Sequence, residues 1–389
     1  MSGQAIRAPS LFDGTSLHAD KAVLIEDGWI TAILPSSDIP CDFPIFGPKR
    51  GTFLAPGLID LQVNGGGGVL FNDALHLDGL RQIAAAHRAL GTAHLLPTLI
   101  SGNSRQIAAA LDAVRAAIAI GLPGILGLHI EGPFLNAHRR GIHPHDAIRP
   151  LSAVDLALLT TPFPGPLMVT LAPEMVPEDM LRLLAQAGVI LFAGHTEATP
   201  DELVRARAAG LVGFTHLFNA MPPLAARSPG PVGAALADGA SFASLIVDGL
   251  HVHAASLAAA IAAKGADRLC LVSDAMPTVG AASTSFHFGE ANITLVDGRL
   301  TDASGTLAGA HLSLGAAVHN AHRLLGMAPA DVLRMATSTP AACLGIGDRL
   351  GALRPGVRAD LALFDSSLTL LGTWTGGVFA PAGFASPPP

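Results

Sequence analysis

The sequence predicts an α/β fold: a (β/α)8 barrel of the TIM type, with a small discontinuous β-sandwich module formed from both chain ends. Three observations carry this. Short apolar runs alternate with helical stretches through the middle of the chain, eight such runs can be counted, and ribbon patterns flank them on both sides. Alternation of strand and helix implies parallel strands, and eight units argue for closure into a barrel. The module is expected at 1–53 and 348–380, the barrel at 54–347 and a tail at 381–389.

Near the start, KAVLIEDGWITAIL reads as two short strands joined at Asp27-Gly28, a hairpin signal. Barrel strands are expected at Leu54–Leu61, Thr92–Leu99, Ile125–Ile130, Leu167–Leu171, Val189–Ala193, Val212–Thr215, Ser244–Val247 and Leu269–Ser273. The stretches His76–Leu90, Arg105–Ile120 and Pro200–Ala209 between them have helical composition. A doubly wound open sheet is the alternative, but no G-x-G-x-x-G follows an early strand. After the eighth strand, SFHFGEANITLVDGRLTD reads as an inserted β-ribbon around Asp297-Gly298. Helices at His311–Leu325 and Pro329–Ala336 return the chain to the module, where GALRPG supplies a turn before a strand at Ala359–Phe364. Two separate short ribbons would be unstable, so the two end pieces are expected to form one module. The terminal FASPPP is expected to fray.

With 389 residues the chain can bury a full core, and its 50% apolar and 14% charged composition suggests extensive buried surface, a subunit interface included. The formal charge of -7, from 23 Lys plus Arg against 30 Asp plus Glu without a basic block, gives no support for a nucleic-acid binder. A small molecule is the expected partner. Cys41, Cys270 and Cys343 are odd in number and far apart, so they read as reduced core residues and not as a disulfide framework or a cysteine zinc site. No basic start followed by an apolar run opens the chain, and no long uncharged stretch escapes Gly, Pro, Asn or His, so a cytoplasmic location is expected by default.

Functional groups of such barrels sit at the C-terminal ends of the strands. The third strand runs into HIEGP, the fifth into FAGHTEA, the sixth into FTHLFNAMP and the eighth into LVSDA, which puts Glu131, His195, His216 and Asp274 at strand ends. Two imidazoles and a carboxylate with a position left for water form a catalytic zinc set, and Asp274 remains for proton transfer. A lone histidine near a strand end is more often a hydrogen-bonded core residue. Four ionisable groups at four strand ends would need four unrelated explanations for buried polarity.

These motifs together resemble the N-acetylglucosamine-6-phosphate deacetylase family of the amidohydrolase superfamily. The resemblance runs through PGLIDLQVNGGGG at Pro56–Gly68, GLHIEGPFLN at Gly127–Asn136, AGHTEAT at Ala193–Thr199, THLFNAMPPL at Thr215–Leu224, DGLHV at Asp248–Val252 and SDA at Ser273–Ala275. It implies that Glu131, His195 and His216 hold the metal and that Asp274 takes and later returns a proton as the acetamide is hydrolysed. It further implies that His251 contacts the acetamide, that Asn219, Ala220 and Arg227 receive the phosphate, and that Ile142 and the Leu307, Ala308, Gly309 turn contact the sugar. A homodimer in which Arg227 reaches the neighbouring site also follows from it. The galacto epimer is the alternative substrate, a deaminase or cyclic-amide hydrolase a further rival, and a catalytically silent binding barrel the reading from another class.

Departures from the wider superfamily matter as much. Where many members open with H-x-H, this chain has Gln62 and Asn64, poor zinc ligands, so one divalent ion per chain, zinc, is expected. The family's usual Asn after G-H-[ST] is Glu197 here, expected to be solvated at a helix start. His129 faces the same side of its strand as Glu131 and is either a support for the ligands or a core residue. His94 is expected to be structural, His143 could touch the sugar, and Arg139-Arg140 is read as a solvated loop face.

Overall fold

The computed structural model describes residues 3–383. Its barrel strands are Leu58–Val63, Thr92–Ile100, Leu128–Glu131, Leu167–Leu171, Ile190–Ala193, Leu211–Phe214, Phe242–Ile246 and Leu269–Val272, numbered one to eight below. They pair in parallel in chain order, with Ile130 beside Leu99 and Val169, and Ser244 beside Cys270. Strand one, LIDLQV, is buried at all six positions, as expected where helices cover one face and the barrel interior the other. Closure comes late along strands eight and one. Val63 bridges to Ala275, and Asp60 inside strand one accepts the Ser273 N–H at 3.2 Å.

The helices start where side chains satisfy their free N–H groups. Asn103 with Gln106, Ser152 with Asp155, and Thr199 with Glu202 form capping boxes at the helices Ser104–Ala119, Ala153–Leu159 and Pro200–Ala208. In the first of these Ile107, Ala110, Leu111, Val114 and Ala117 recur at three- and four-residue steps and form the buried face.

The expected strand Leu54–Leu61 is two strands in two different sheets. Phe53–Pro56 lies in the module, parallel to Gln4–Phe12 and antiparallel to Leu361–Phe364, while Leu58 begins the barrel. The apolar run is continuous, so hydrophobicity alone hides the break at Pro56-Gly57. There the Gly57 N–H donates to Asp360 O at 2.8 Å, and a Cβ on Gly57 would lie 2.4 Å from Ala93 Cβ.

The module is one sheet drawn from both chain ends, including Leu17–Glu26, Trp29–Pro35, Leu370–Thr375 and Val378–Pro381. It curls until Trp29 bridges to Arg358, so its two halves enclose one core of Ile6, Leu11, Val23, Ile30, Leu54, Leu361 and Trp374. His94 of strand two faces Asp360 Oδ2 at 3.2 Å and ties barrel to module.

The inserted ribbon is a three-stranded sheet, Ser285–Phe288, Ala291–Val296 and Arg299–Thr301. Its Phe288, Ile293 and Leu300 bury against Leu70, Ile100 and Met276 beside the barrel mouth, with Ile142 packed on the same cluster. Each such buried side chain contributes about 1.5–3 kcal/mol, enough to hold the insertion over that end of the barrel.

Cys270 and Cys343 are buried free thiols, but Cys41 is exposed, on a module loop that the core leaves outside. Of the expected tail, Pro381 ends a module strand, and residues 384–389 lie outside the described range. Among the described residues no helix is long and apolar enough to cross a membrane.

Candidate metal centre and active site

Strand ends and local backbone together aim four ionisable side chains into the barrel mouth. Glu131 is the last residue of strand three, whereas strands five, six and eight stop at Ala193, Phe214 and Val272, two positions before His195, His216 and Asp274. At these three residues φ is +50°, +31° and +49°, a left-handed backbone uncommon outside glycine. Each costs on the order of 1–3 kcal/mol and persists only where its surroundings over-determine it. Here they do: Thr215 N–H donates to Ala193 O (2.9 Å), His216 N–H to Ser244 Oγ (2.7 Å) and Ala310 N–H to Asp274 O (2.9 Å). Gly309 makes the last approach feasible, since a Cβ there would stand 2.7 Å from Met276 Cγ and 3.0 Å from Asp274 O.

Glu131, His195 and His216 bring one ligand atom each within 4.8 Å of one another. Glu131 Oε1 lies 2.9 Å from His216 Nε2 and 3.2 Å from His195 Nε2, and the two ring nitrogens are 3.1 Å apart. All three side chains are buried. His195 Nδ1 donates to the Arg139 carbonyl at 2.8 Å, which turns the Nε2 edge of the ring towards Glu131. Burial opposes the Glu131 charge, yet the hydrogen bonds from His195 and His216 hold its carboxyl well below the usual range. Burial likewise pulls His216 down, and Glu131 more than reverses this and raises it. The cluster therefore wants a positive charge at its centre. Its donors, two imidazole nitrogens and a carboxylate oxygen, fit a divalent ion of the zinc type with one position left open.

Asp274 Oδ1 accepts from Asn64 Nδ2 at 2.7 Å and Gln62 Nε2 at 3.0 Å, and Gln62 Nε2 also reaches Glu131 Oε1 at 3.1 Å. Both amides thus act as N–H donors to Asp274, and Gln62 bridges the two carboxylates. Burial, and then the charge of Glu131, push Asp274 up to about 6. A cation held by the three ligands would oppose the second cause.

A cavity of about 470 Å³ opens over this cluster. Ile142, His143, Asn219, Ala220, His251, Leu307 and Gly309 line it, as do all four ionisable groups above. His143 sits edge-on to His195, with ring centres 4.4 Å apart, and shares a 2.6 Å hydrogen bond with Ser101 through Nδ1; burial and the neighbouring His195 hold it well below its ordinary pKa. His251 Nδ1 lies 2.6 Å from Asp248 Oδ2, so that carboxylate sets the ring's orientation. Asn219 donates from Nδ2 to His216 O at 3.1 Å. Ala308 is buried beneath the cavity, beside Met276 and Phe288, and Arg227 stands exposed on the loop after strand six, outside the lining.

Of the other residues weighed in the sequence, His129 takes the core alternative, whereas Glu197 and Arg139 have surroundings the sequence did not suggest. His129 lies between Thr98 Oγ1 (3.2 Å) and Thr170 Oγ1 (2.8 Å) in the barrel interior, and burial pulls it down to about 4, so it is a neutral histidine among hydroxyls. Glu197 is not part of the next helix's first turn, where Asp201 and Glu202 sit, but pairs with Arg139 Nε at 2.9 Å. Arg139 is accordingly no free loop charge, and it lines the cavity with His138, Gly141 and Met276, none of them singled out by sequence. Asp248 had a signal, three residues before His251 in DGLHV; Ser101 had none.

The amidohydrolase family model matches residues 53–382. The chain is 38% identical over 358 residues to an N-acetylgalactosamine-6-phosphate deacetylase of Shewanella sp. (strain ANA-3), covering 92% of this chain and 90% of that protein. It is 33% identical over 361 residues to an N-acetylglucosamine-6-phosphate deacetylase of Haemophilus influenzae, covering 92% and 94%. The crystal structure of N-acetylglucosamine-6-phosphate deacetylase from Pasteurella multocida superposes with a TM-score of 0.93 at 32% identity, covering 97% of this chain and 100% of that one.

Proposed function

The chain belongs to the amidohydrolase family, and on that basis we propose that it hydrolyses the acetamide of N-acetyl-D-glucosamine 6-phosphate to D-glucosamine 6-phosphate and acetate. One juxtaposition carries the reading: Asp274 stands beside the Glu131, His195 and His216 cluster at the floor of a sugar-sized cavity. In this reading those three residues would hold one zinc ion, which would supply Lewis-acid chemistry towards the carbonyl oxygen and make a water more acidic. Asp274 takes that water's proton as its oxygen bonds to the acetamide carbon. His251, oriented by Asp248, contacts the acetamide oxygen as charge develops there. Asp274 then delivers the proton to the nitrogen as the C–N bond breaks, releasing acetate and the amine. Gln62 and Asn64 hold Asp274 through Oδ1, which leaves Oδ2 for the transfer.

Asn219 and Ala220 are proposed to meet the phosphate, and Ile142, His143, Leu307 and Gly309 the sugar, with Ala308 shaping that turn from beneath. Arg227 would complete phosphate recognition in the site of a neighbouring subunit of a two-fold homodimer, where a guanidinium fork suits a phosphate dianion. Its exposure outside its own cavity supports this. The galacto epimer is the second reading, favoured by the 38% identity to a protein of that name against 33% for its gluco counterpart. Acetate release from the two epimeric 6-phosphates and the two unphosphorylated sugars, measured side by side, tests all of this. No release from either phosphate would overturn the proposed function, and a large excess for one epimer decides between them.

A further inference from the structure

The segment roofing the cavity, from Asn136 to His143, is stitched to the loop that carries the ligand His195. Asn136 N–H donates to His195 O at 3.0 Å, and His195 Nδ1 donates to Arg139 O at 2.8 Å. Glu174, just after strand four, clamps both sides. Its Oε1 accepts from Asn136 Nδ2 (3.0 Å) and Glu197 N–H (2.7 Å), and its Oε2 from Thr196 Oγ1 (2.5 Å). The last stitch is the Arg139–Glu197 ion pair, at 2.9 Å between residues 58 positions apart.

Arg139 therefore holds the ligand loop twice. Its carbonyl receives the His195 ring and its guanidinium grips the carboxylate two residues beyond that ring. The other imidazole ligand has no such support, since His216 Nδ1 lacks a partner among the described residues. The tautomer and ring plane of a ligating histidine are normally set by such a bond. Here that duty falls on one backbone carbonyl, on a short 3-10 turn, Ala137–Arg139, that has no buried residue to anchor it. Both side chains of the ion pair are about one-third exposed, at 33% and 38%, so the pair adds little to global stability. What it can do is hold the turn in place.

We propose that the Arg139–Glu197 ion pair is a positioning latch, which keeps the Arg139 carbonyl on His195 and keeps Gly141, Ile142 and His143 closed over the cavity. The latch rests on the metal-site reading above. Arg139 lines the cavity and Glu197 does not, and both are assigned a positioning role through the groups they hold.

The test uses the zinc-loaded full chain as wild type, Glu197→Gln, Arg139→Gln, the double variant, and the charge-preserving Arg139→Lys. Zinc loss to an excess of chromogenic chelator is timed, and KM and kcat for acetate release are measured alongside. Each Gln variant should lose zinc about 10-fold faster, the lower end for loss of a ligand's hydrogen-bond support. KM should rise more than kcat falls. The double variant should be no worse than the weaker single one, because the two residues act as a unit. Arg139→Lys should recover most of the retention. Wild-type rates of zinc loss in both single variants, or losses that multiply in the double variant, would overturn the latch. Failure of the wild-type chain itself to retain zinc would strike the metal-site reading instead.

Discussion

Replacing Asp155 with Asn should unfold the barrel more easily, although Asp155 is remote from the cavity lining. Its carboxylate is fully buried at the start of the helix Ala153–Leu159 and accepts from both terminal nitrogens of Arg149, from Ser104 Oγ at 2.8 Å, and from Ser152 N–H at 3.0 Å and Oγ at 2.5 Å. Arg149 in turn donates its N–H to Pro133 O at 3.1 Å and lies over the Phe134 ring at 5.5 Å, so the network braces the turn directly after Glu131. Asn keeps the shape but removes the charge and turns one acceptor into a donor facing donors. A hydrogen bond to a charged group is worth about 1.5–3 kcal/mol and an unsatisfied buried group costs about 1–3. The partly exposed Arg149 can recover some solvation, so about 3 kcal/mol in all is expected. Both tryptophans, Trp29 and Trp374, lie in the module, so unfolding of the barrel is best followed in urea by far-UV circular dichroism. The pH dependence has a definite sign. Burial alone would raise this carboxyl, but Arg149, Ser152 and Ser104 together hold it well below the ordinary range. Its stabilising effect is thus complete above the unfolded value of about 3.9 and is lost as pH falls through the lower folded value. The gap between wild type and variant should be constant from about pH 5 to 8 and shrink below about pH 4. A gap under about 0.5 kcal/mol at pH 7, within the range of ordinary surface substitutions, or an undiminished gap at low pH, would refute the reasoning.

Elemental analysis should find one zinc per chain, and His195→Ala or His216→Ala should lose both the ion and most of the activity; two equivalents, both needed for turnover, would contradict the role given to Gln62 and Asn64. Asp274→Asn should stay folded and keep zinc while losing turnover by several orders of magnitude. Near-normal acetate release by a metal-loaded variant would move the proton transfer to another group. Arg227→Ala should lower kcat/KM for the phosphorylated sugar roughly 30-fold or more, the low end for truncating one partner of a charge pair, and scarcely alter use of the unphosphorylated sugar. Mixing Arg227→Ala with Asp274→Asn subunits should restore activity if the arginine serves the neighbouring site. No recovery despite proven subunit exchange would return it to its own.

The barrel strands and the cluster at their ends were legible because both follow from local sequence. An apolar run, one small or polar residue and then His or Asp is a pattern within a few positions, as in FAGHT and LVSDA. What escaped depends on chain path. Pro56-Gly57 divides two sheets because Gln4–Phe12 and the distant Leu361–Phe364 both pair with one side of it. Glu197 and Arg139 looked like solvated charges because their encounter is set by how two loops rise from different strands. His129 could be placed on the Glu131 side of its strand, but whether it met ligands or hydroxyls depended on Thr98 and Thr170 in neighbouring strands.

The shared sheet at the two chain ends also orders events during synthesis. Phe53–Pro56 is made early, yet one of its two strand partners, Leu361–Phe364, follows roughly 300 residues later, a wait of about 15–60 s at translation rates of about 5–20 residues per second. Throughout that interval the nascent chain carries an unpaired strand edge beside a half-built core that still lacks Leu361 and Trp374. The barrel can take shape in the meantime, and its first strand is tethered through Gly57 to that waiting edge. Completion of the sheet therefore waits until every barrel strand has already been made, because Leu361–Phe364 follows the last of them in the chain.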